Sequence, residues 1–302
     1  MWSLRLGQAV ETLEGAELVP VGAILSPAIW DHWSTPGPAR AAEAAPLFAH
    51  DTVHRDLLDC IDIEPYSIVL GTKRDRARTL QWMAQVRISE PLLAYLDYFK
   101  EHDPYTYFHS LKVFALSTRL AEMTGESGPG MQQESTAGPL HDVGKVCVPL
   151  QILRKSTPLT RTERGVLEHH AAAGYVLLGH YLGDPHSFFP QVALEHHERR
   201  DGSGYPLGHP LTDQMVEIIA ISDIYDALLS SRPYQPTPYD NRTALEVLTE
   251  MANQGKLSGE LVRALICCNR RSNTGYREMD VSKERRGGPP PDSVYGMTIE
   301  DS

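Results

Sequence analysis

Ser89-Glu90-Pro91-Leu92-Leu93-Ala94-Tyr95-Leu96-Asp97-Tyr98-Phe99 divides this chain into two kinds of sequence. A serine able to cap a helix precedes glutamate and proline in the first turn. Apolar residues then recur three and four apart, the spacing of one buried helix face. Residues 107–123 repeat that pattern, as do 162–182, 189–197, 213–230 and 241–252. None of these stretches alternates as a strand does, so residues 89–269 read as an all-α domain.

The flanks read differently. Residues 7–10 and 17–25 are short apolar runs broken by Gly15, Pro20 and Gly22, which predicts strands and turns. Ser26-Pro27-Ala28 predicts a helix start, with Ser as cap and Pro in the first turn. The Pro-, Gly- and Ala-rich segment 35–46 reads as a flexible connection. Residues 1–88 are therefore expected to form a small α+β module. Residues 270–302 contain Arg285-Arg286-Gly287-Gly288-Pro289-Pro290-Pro291 and little apolar content, which predicts a disordered tail.

Composition narrows the function classes. With 28 basic and 39 acidic residues among 302, the formal charge is −11, a poor match for long nucleic acid. A small anionic ligand stays compatible if metal ions and a few local cations supply the attraction. No apolar run reaches the roughly 18 residues of a membrane helix, and the N-terminus lacks the apolar core of a secretory signal. A cytoplasmic location is expected. Cys60, Cys147, Cys267 and Cys268 show no CxxC spacing and read as reduced structural thiols.

The chemistry lies in histidines and aspartates set inside otherwise apolar helical sequence. They are His109, the pair His141-Asp142, His170, the pair His196-His197, and Asp223. Any one buried histidine is more often a hydrogen-bonded core residue than a ligand. Chance placement of the whole set is far less common. Imidazole with carboxylate suits Mn²⁺, Fe or Zn²⁺, and the absence of a cysteine pair argues against structural zinc. The set exceeds what one tetrahedral ion needs, so a two-metal site is expected. Two ions can clamp a phosphodiester and lower the pKa of a bridging water. The aspartate of the His-Asp pair can bridge both ions through its two oxygens. His102, His169, His180, His186 and His209 read as solvated or structural.

These residues carry a resemblance. Asp103-Pro104-Tyr105-Thr106-Tyr107-Phe108-His109-Ser110, His141-Asp142-Val143-Gly144-Lys145, His170 before a glycine, His196-His197-Glu198-Arg199-Arg200-Asp201-Gly202-Ser203-Gly204-Tyr205-Pro206, and Asp223 before Asp226-Ala227-Leu228 together resemble the HD-GYP domain over about residues 98–268. The first 88 residues resemble, more weakly, the segment often fused to such domains. The resemblance implies an HD-type, mainly α domain with a binuclear metal site, of iron or manganese, that hydrolyses cyclic di-GMP to the linear dinucleotide or GMP. By it, His109, His141, Asp142 and Asp223 would hold one ion. Asp142 would bridge to a second ion held by His170, His196 and His197.

Three further residues are candidates for substrate contact. Lys145, four residues after His141, would reach a phosphate oxygen one helical turn on; the alternative is a solvated helix lysine. Gly202, Gly204 and Pro206 would fix a tight loop that leaves the Tyr205 ring free for the ligand or for a diguanylate cyclase-type or other signalling protein. A plain structural turn is the alternative. Arg232 could grip a second phosphate bidentately, or be an ordinary surface arginine.

The chain also departs from the family pattern. Tyr105 stands where some members carry a glutamate that allows a third metal, so two ions are expected. Gln235 follows Arg232-Pro233-Tyr234 where the family is often basic. Segment 125–140 is rich in Gly, Ser and Pro instead of helical. Pro139 would cost about 3 kcal/mol inside a helix but little in a first turn. Ser135 or Thr136 is therefore expected to open a shortened, less rigid helix carrying His141-Asp142. Two other functions remain open on these residues: a weakly active or inactive nucleotide-binding or protein-interaction sensor, and a phosphohydrolase for another cyclic dinucleotide.

Overall fold

The computed structural model describes residues 2–27, 44–125, 137–231, 237–270, 275–282, 284–291, 293 and 297–301. Arg232, Gln235, all but Ser26 and Pro27 of the helix expected to start there, and the helix start expected at Ser135 or Thr136 lie outside the described residues. The fold is mainly helical. Strands β1 (Leu4–Arg5) and β4 (Ile24–Leu25) pair antiparallel, as do β2 (Val10–Glu11) and β3 (Glu17–Val19). Strand β5 (Ala44–Pro46) pairs antiparallel with β6 (Arg87–Ser89), and helices α1 (Val53–Ile61), α2 (Tyr66–Val69) and α3 (Lys73–Met83) lie between them.

The pairing of β5 with β6 corrects two expectations. Residues 44–46 are strand and not connection. Ser89 ends β6 and holds the N-cap position of the next helix, but its hydroxyl accepts no hydrogen bond from that helix and lies buried without a partner. Helix α4 (Glu90–His102) is started instead by Pro91 in its first turn.

Two helices form the axis of the molecule. Helix α5 (Pro104–Thr124) is buried from Thr106 to Ala121 on nearly every face, and it ends at Gly125 in the left-handed region, φ 86°. Helix α7 (Arg161–Leu182) starts with a capping box in which Thr160 and Glu163 satisfy each other's backbone N–H groups, an arrangement worth about 1 kcal/mol. Before it come the one-turn helix α6 (Leu150–Leu153) and strand β7 (Leu159–Thr160). Helix α8 (Phe188–Glu195) packs on α7. Helix α9 (Gln214–Leu229), capped by Asp213 accepting from Met215 and Val216, is as completely buried as α5 and packs along it. Helices α10 (Asn241–Asn253) and α11 (Gly259–Arg270) close the bundle.

His141 and Asp142 do not sit on an α-helix. They lie between two 3₁₀ segments, Gly138–Leu140 and Val143–Cys147. Pro139 falls in the first turn of the former, where its missing N–H costs nothing. The second segment is pressed onto α7 where two glycines face each other. A Cβ on Gly144 would lie 2.0 Å from the His170 carbonyl oxygen and 2.4 Å from the Gly174 nitrogen.

The apolar core runs without a break from Leu6, Val10 and Leu25 through α5, α7 and α9 to Cys268. The first 88 residues therefore share a core with the helices that follow. Beyond residue 270, where low apolar content predicts disorder, the described residues make specific polar contacts. Glu246 accepts from the backbone N–H groups of Arg286 and Gly287, Arg285 pairs with Glu250, and β8 (Thr298–Ile299) pairs in parallel with β7. Among the described residues no helix is long and apolar enough to cross a membrane.

Candidate metal centre

Three rings in the cluster are aimed by backbone carbonyls and a fourth by a carboxylate. His141 Nδ1 lies 2.7 Å from the Gly138 carbonyl and His170 Nδ1 lies 2.6 Å from that of Leu167. His196 Nδ1 lies 3.0 Å from those of Val192 and Ala193. His109 Nδ1 lies 2.6 Å from Asp226 Oδ2. An oxygen of this kind only accepts, so each Nδ1 carries the proton and each Nε2 keeps its lone pair. The Nε2 atoms then converge. His170 Nε2 is 3.4 Å from His196 Nε2 and 3.0 Å from His197 Nε2. The lone pairs of His170 and His196 facing one another at that range repel unless a cation lies between them.

Asp142 stands at the centre of the cluster with its two oxygens facing different ways. Oδ1 is 3.4 Å from His170 Nε2 and 3.8 Å from His196 Nε2. Oδ2 is 3.3 Å from His141 Nε2 and 3.6 Å from His109 Nε2. The donors fall into two groups, each with atoms within 4.8 Å of one another: Asp142, His170, His196 and His197 in one, His109, His141 and Asp223 in the other. All but the half-buried His197 are buried. The Nε2 atoms of His109 and His141 are buried without a hydrogen-bond partner, although Asp223 Oδ1 lies 3.0 Å from the former. The donor set therefore fits divalent cations on two counts: orphaned acceptor nitrogens, and carboxylates to balance the charge.

The electrostatics agree with that fit. Burial pushes His170 down to about 4 and His196 down to about 3, the latter helped by His141 and His170. Burial and the neighbouring His196 hold His197 well below the usual range too. These rings stay neutral, as ligands must. Burial alone would raise Asp142, but Lys145 and His141 outweigh it and hold the carboxyl well below its usual range. Asp223 is lowered against the same burial, chiefly by His109. His141 goes the other way: burial opposes its charge, and Asp142 more than offsets this.

All seven of the expected metal residues meet in one place. The substrate candidates are placed differently from the expectation. Lys145 Nζ sits 2.5 Å from Asp142 Oδ2, because the 3₁₀ turn brings residues three apart onto one side. The Tyr205 ring is not free: it stacks on His197 at 4.5 Å between centroids and 23° between planes. Its loop is held by Glu198, whose Oε1 accepts from the backbone N–H of Leu207 at 2.6 Å and of Gly208 at 3.1 Å. Gly204 is required there, since a Cβ would fall 2.4 Å from Glu198 Cα and from the His197 carbonyl oxygen.

Asp226 and Glu198 were not singled out from the sequence, and a signal existed for the first. Asp223 and Asp226 are three residues apart on a helix, which puts both carboxylates on one face. Nothing in the spacing marks Glu198 as the acceptor for its own loop.

Comparison with known proteins adds the family. The model of the HD domain matches residues 94–261, more than half of the chain. A cyclic di-GMP phosphodiesterase of Thermotoga maritima is 34% identical over 204 residues, covering 66% of this chain and 54% of that protein. One from Pseudomonas aeruginosa is 36% identical over 172 residues, covering 55% and 40%. A 3'3'-cGAMP-specific phosphodiesterase of Vibrio cholerae is 29% identical over 181 residues, covering 59% and 40%. The chain thus spans about half the length, or less, of these curated relatives. The matched span holds every residue of the two donor groups, and on that footing the chain belongs to the HD domain family, with the motifs of its HD-GYP members.

Proposed function

We propose that this protein is a metal-dependent phosphodiesterase that hydrolyses a cyclic dinucleotide, cyclic di-GMP first, to the linear dinucleotide or GMP. The observation that carries the reading is Asp142, one buried carboxylate with one oxygen toward each donor group. His109, His141, Asp142 and Asp223 would hold one divalent ion. Asp142, His170, His196 and His197 would hold a second, iron or manganese being the best match to this donor set. Bound there, such ions supply the Lewis acidity that polarises a phosphodiester and acidifies water.

The chain's own residues do the rest. Backbone carbonyls and Asp226 keep four imidazoles turned with Nε2 inward, so no reorientation is needed on binding. Burial of the cluster keeps bulk water from competing for the phosphate. Lys145 balances Asp142 in the ion-free protein, and it supplies a cation to a phosphate oxygen once a metal meets the carboxylate's charge. Tyr205, stacked on His197, forms a wall that a base or sugar would meet. Arg232 as a second phosphate contact, the 202–206 loop as a surface for a signalling protein, and residues 89–269 as the catalytic unit rest on the sequence reading.

The test is metal analysis of the purified protein followed by incubation with cyclic di-GMP in Mn²⁺ or Fe²⁺ under reducing conditions. Two ions per chain and linear product are expected. Bound metal without turnover would point to a sensor. Turnover of 3'3'-cGAMP but not of cyclic di-GMP would move the substrate to that of the Vibrio relative. Replacing His109 by alanine is expected to leave a folded protein with about one ion per chain. Unchanged stoichiometry would remove His109 from the ligand set.

A further inference from the structure

Asp226 is wholly buried on α9, one turn beyond Asp223, and four donors meet its two oxygens. Tyr66 Oη donates to Oδ1 at 2.5 Å, and Lys112 Nζ lies 2.8 Å from the same oxygen. His109 Nδ1 donates to Oδ2 at 2.6 Å, and Ser230 Oγ donates there at 3.1 Å. Lys112 also sits over the Tyr66 ring, 5.3 Å from its centroid. Three of these donors come from the helical bundle. Tyr66 does not: it belongs to α2, in the first 88 residues, whose connection to the site nothing in the motifs suggested.

We propose that Tyr66 and Asp226 form a positioning relay through which the N-terminal part of the chain sets the metal affinity of the His109–His141–Asp223 group. The proposal rests on the two-metal reading above. Asp226 fixes the His109 tautomer, because its Oδ2 can only accept and so keeps the proton on Nδ1 and the lone pair on Nε2. The orientation of that carboxylate is set in turn by what holds its other oxygen, and Tyr66 is one of the two groups that do. A shift of α2 that withdraws the Tyr66 hydroxyl leaves Oδ1 to Lys112 alone and lets the carboxylate turn toward it. His109 Nε2 would then turn away from Asp223 and Asp142. Neither Tyr66 nor Asp226 is a ligand, so both act through His109.

The relay predicts a site-selective effect. Apo protein is titrated with Mn²⁺ alone, and the two binding equivalents are resolved for wild type, Tyr66→Phe and Asp226→Asn. In Asp226→Asn one equivalent is expected to weaken about 10–100-fold while the other keeps its wild-type affinity. An amide nitrogen facing Nδ1 favours the tautomer with its proton on Nε2. In Tyr66→Phe the same equivalent is expected to weaken about 5-fold, the worth of one hydrogen bond. Tyr66→Phe keeps ring and packing, so it serves even if Asp226→Asn fails to fold. A lowered melting temperature in Tyr66→Phe with both affinities unchanged would make the contact purely structural and overturn the relay. Equal weakening of both equivalents would overturn it as well. Wild-type protein that takes up no Mn²⁺ would overturn the two-metal reading itself, and the relay with it.

Discussion

Replacing Asp142 by alanine is expected to abolish metal uptake and hydrolysis together, with activity falling at least about 10³-fold. No other carboxylate in the cluster can substitute. Among the described residues, Asp142 is the one with an oxygen within 3.4 Å of a histidine in each group, at His170 Nε2 on one side and His141 Nε2 on the other. Its loss also removes the charge that Lys145 Nζ contacts at 2.5 Å, leaving a largely buried ammonium without its partner. Breaking a buried pair from one side typically costs about 3 kcal/mol or more, so the apo variant should melt earlier than wild type. Asp142→Asn separates the two effects. It keeps the shape and part of the Lys145 contact but offers neither the charge nor two acceptor oxygens. Metal content by elemental analysis and product by chromatography read both variants. An alanine variant with full activity would end the two-metal account.

Among the described glycines, Gly144 is where an added methyl group meets backbone most closely, so Gly144→Ala should be strongly damaging. Its Cβ would lie 2.0 Å from the His170 carbonyl oxygen and 2.4 Å from the Gly174 nitrogen. Both are backbone atoms of α7, so no side chain can swing aside. To restore ordinary contact the 3₁₀ segment must move off the helix by more than an ångström, at a cost of about 3 kcal/mol or more. Asp142 is two residues away and would move with it, separating its Oδ1 from His170. The expected result is a lowered melting temperature together with weakened metal binding. Gly165→Ala is the control: it lies on the same helix α7, its Cβ meets nothing within 4 Å, and it should be neutral or slightly stabilising. If Gly144→Ala melts and binds metal like wild type, the close contact does not position Asp142.

The helical half was legible because its apolar residues keep the 3.6-residue period over long stretches. The bounds of α7, α9 and α10 lie within one residue of the expected ones, inside the usual scatter of helix ends, while α5 starts three residues earlier than expected, at Pro104. The ligand set was legible for a different reason. Histidine and aspartate are costly in helical core sequence, so several of them at motif spacing ask for a cation. The His141-Asp142 segment was misread as a helix because its 3₁₀ geometry follows from contact with α7. Gly144 and Gly174 announce that contact only when they are seen face to face.

Sequence alone determined which side chains carry the chemistry and which periods build the bundle, since both are properties of local order along the chain. Only the tertiary structure decided that Asp142 turns one oxygen to each donor group, that Lys145 sits on that carboxylate, and that Tyr205 lies over His197. It alone brought Tyr66, 160 residues away in sequence, to Asp226 behind His109. Such contacts depend on the angle at which packed elements meet. Burial and close approach set that angle, and no spacing along the chain encodes it.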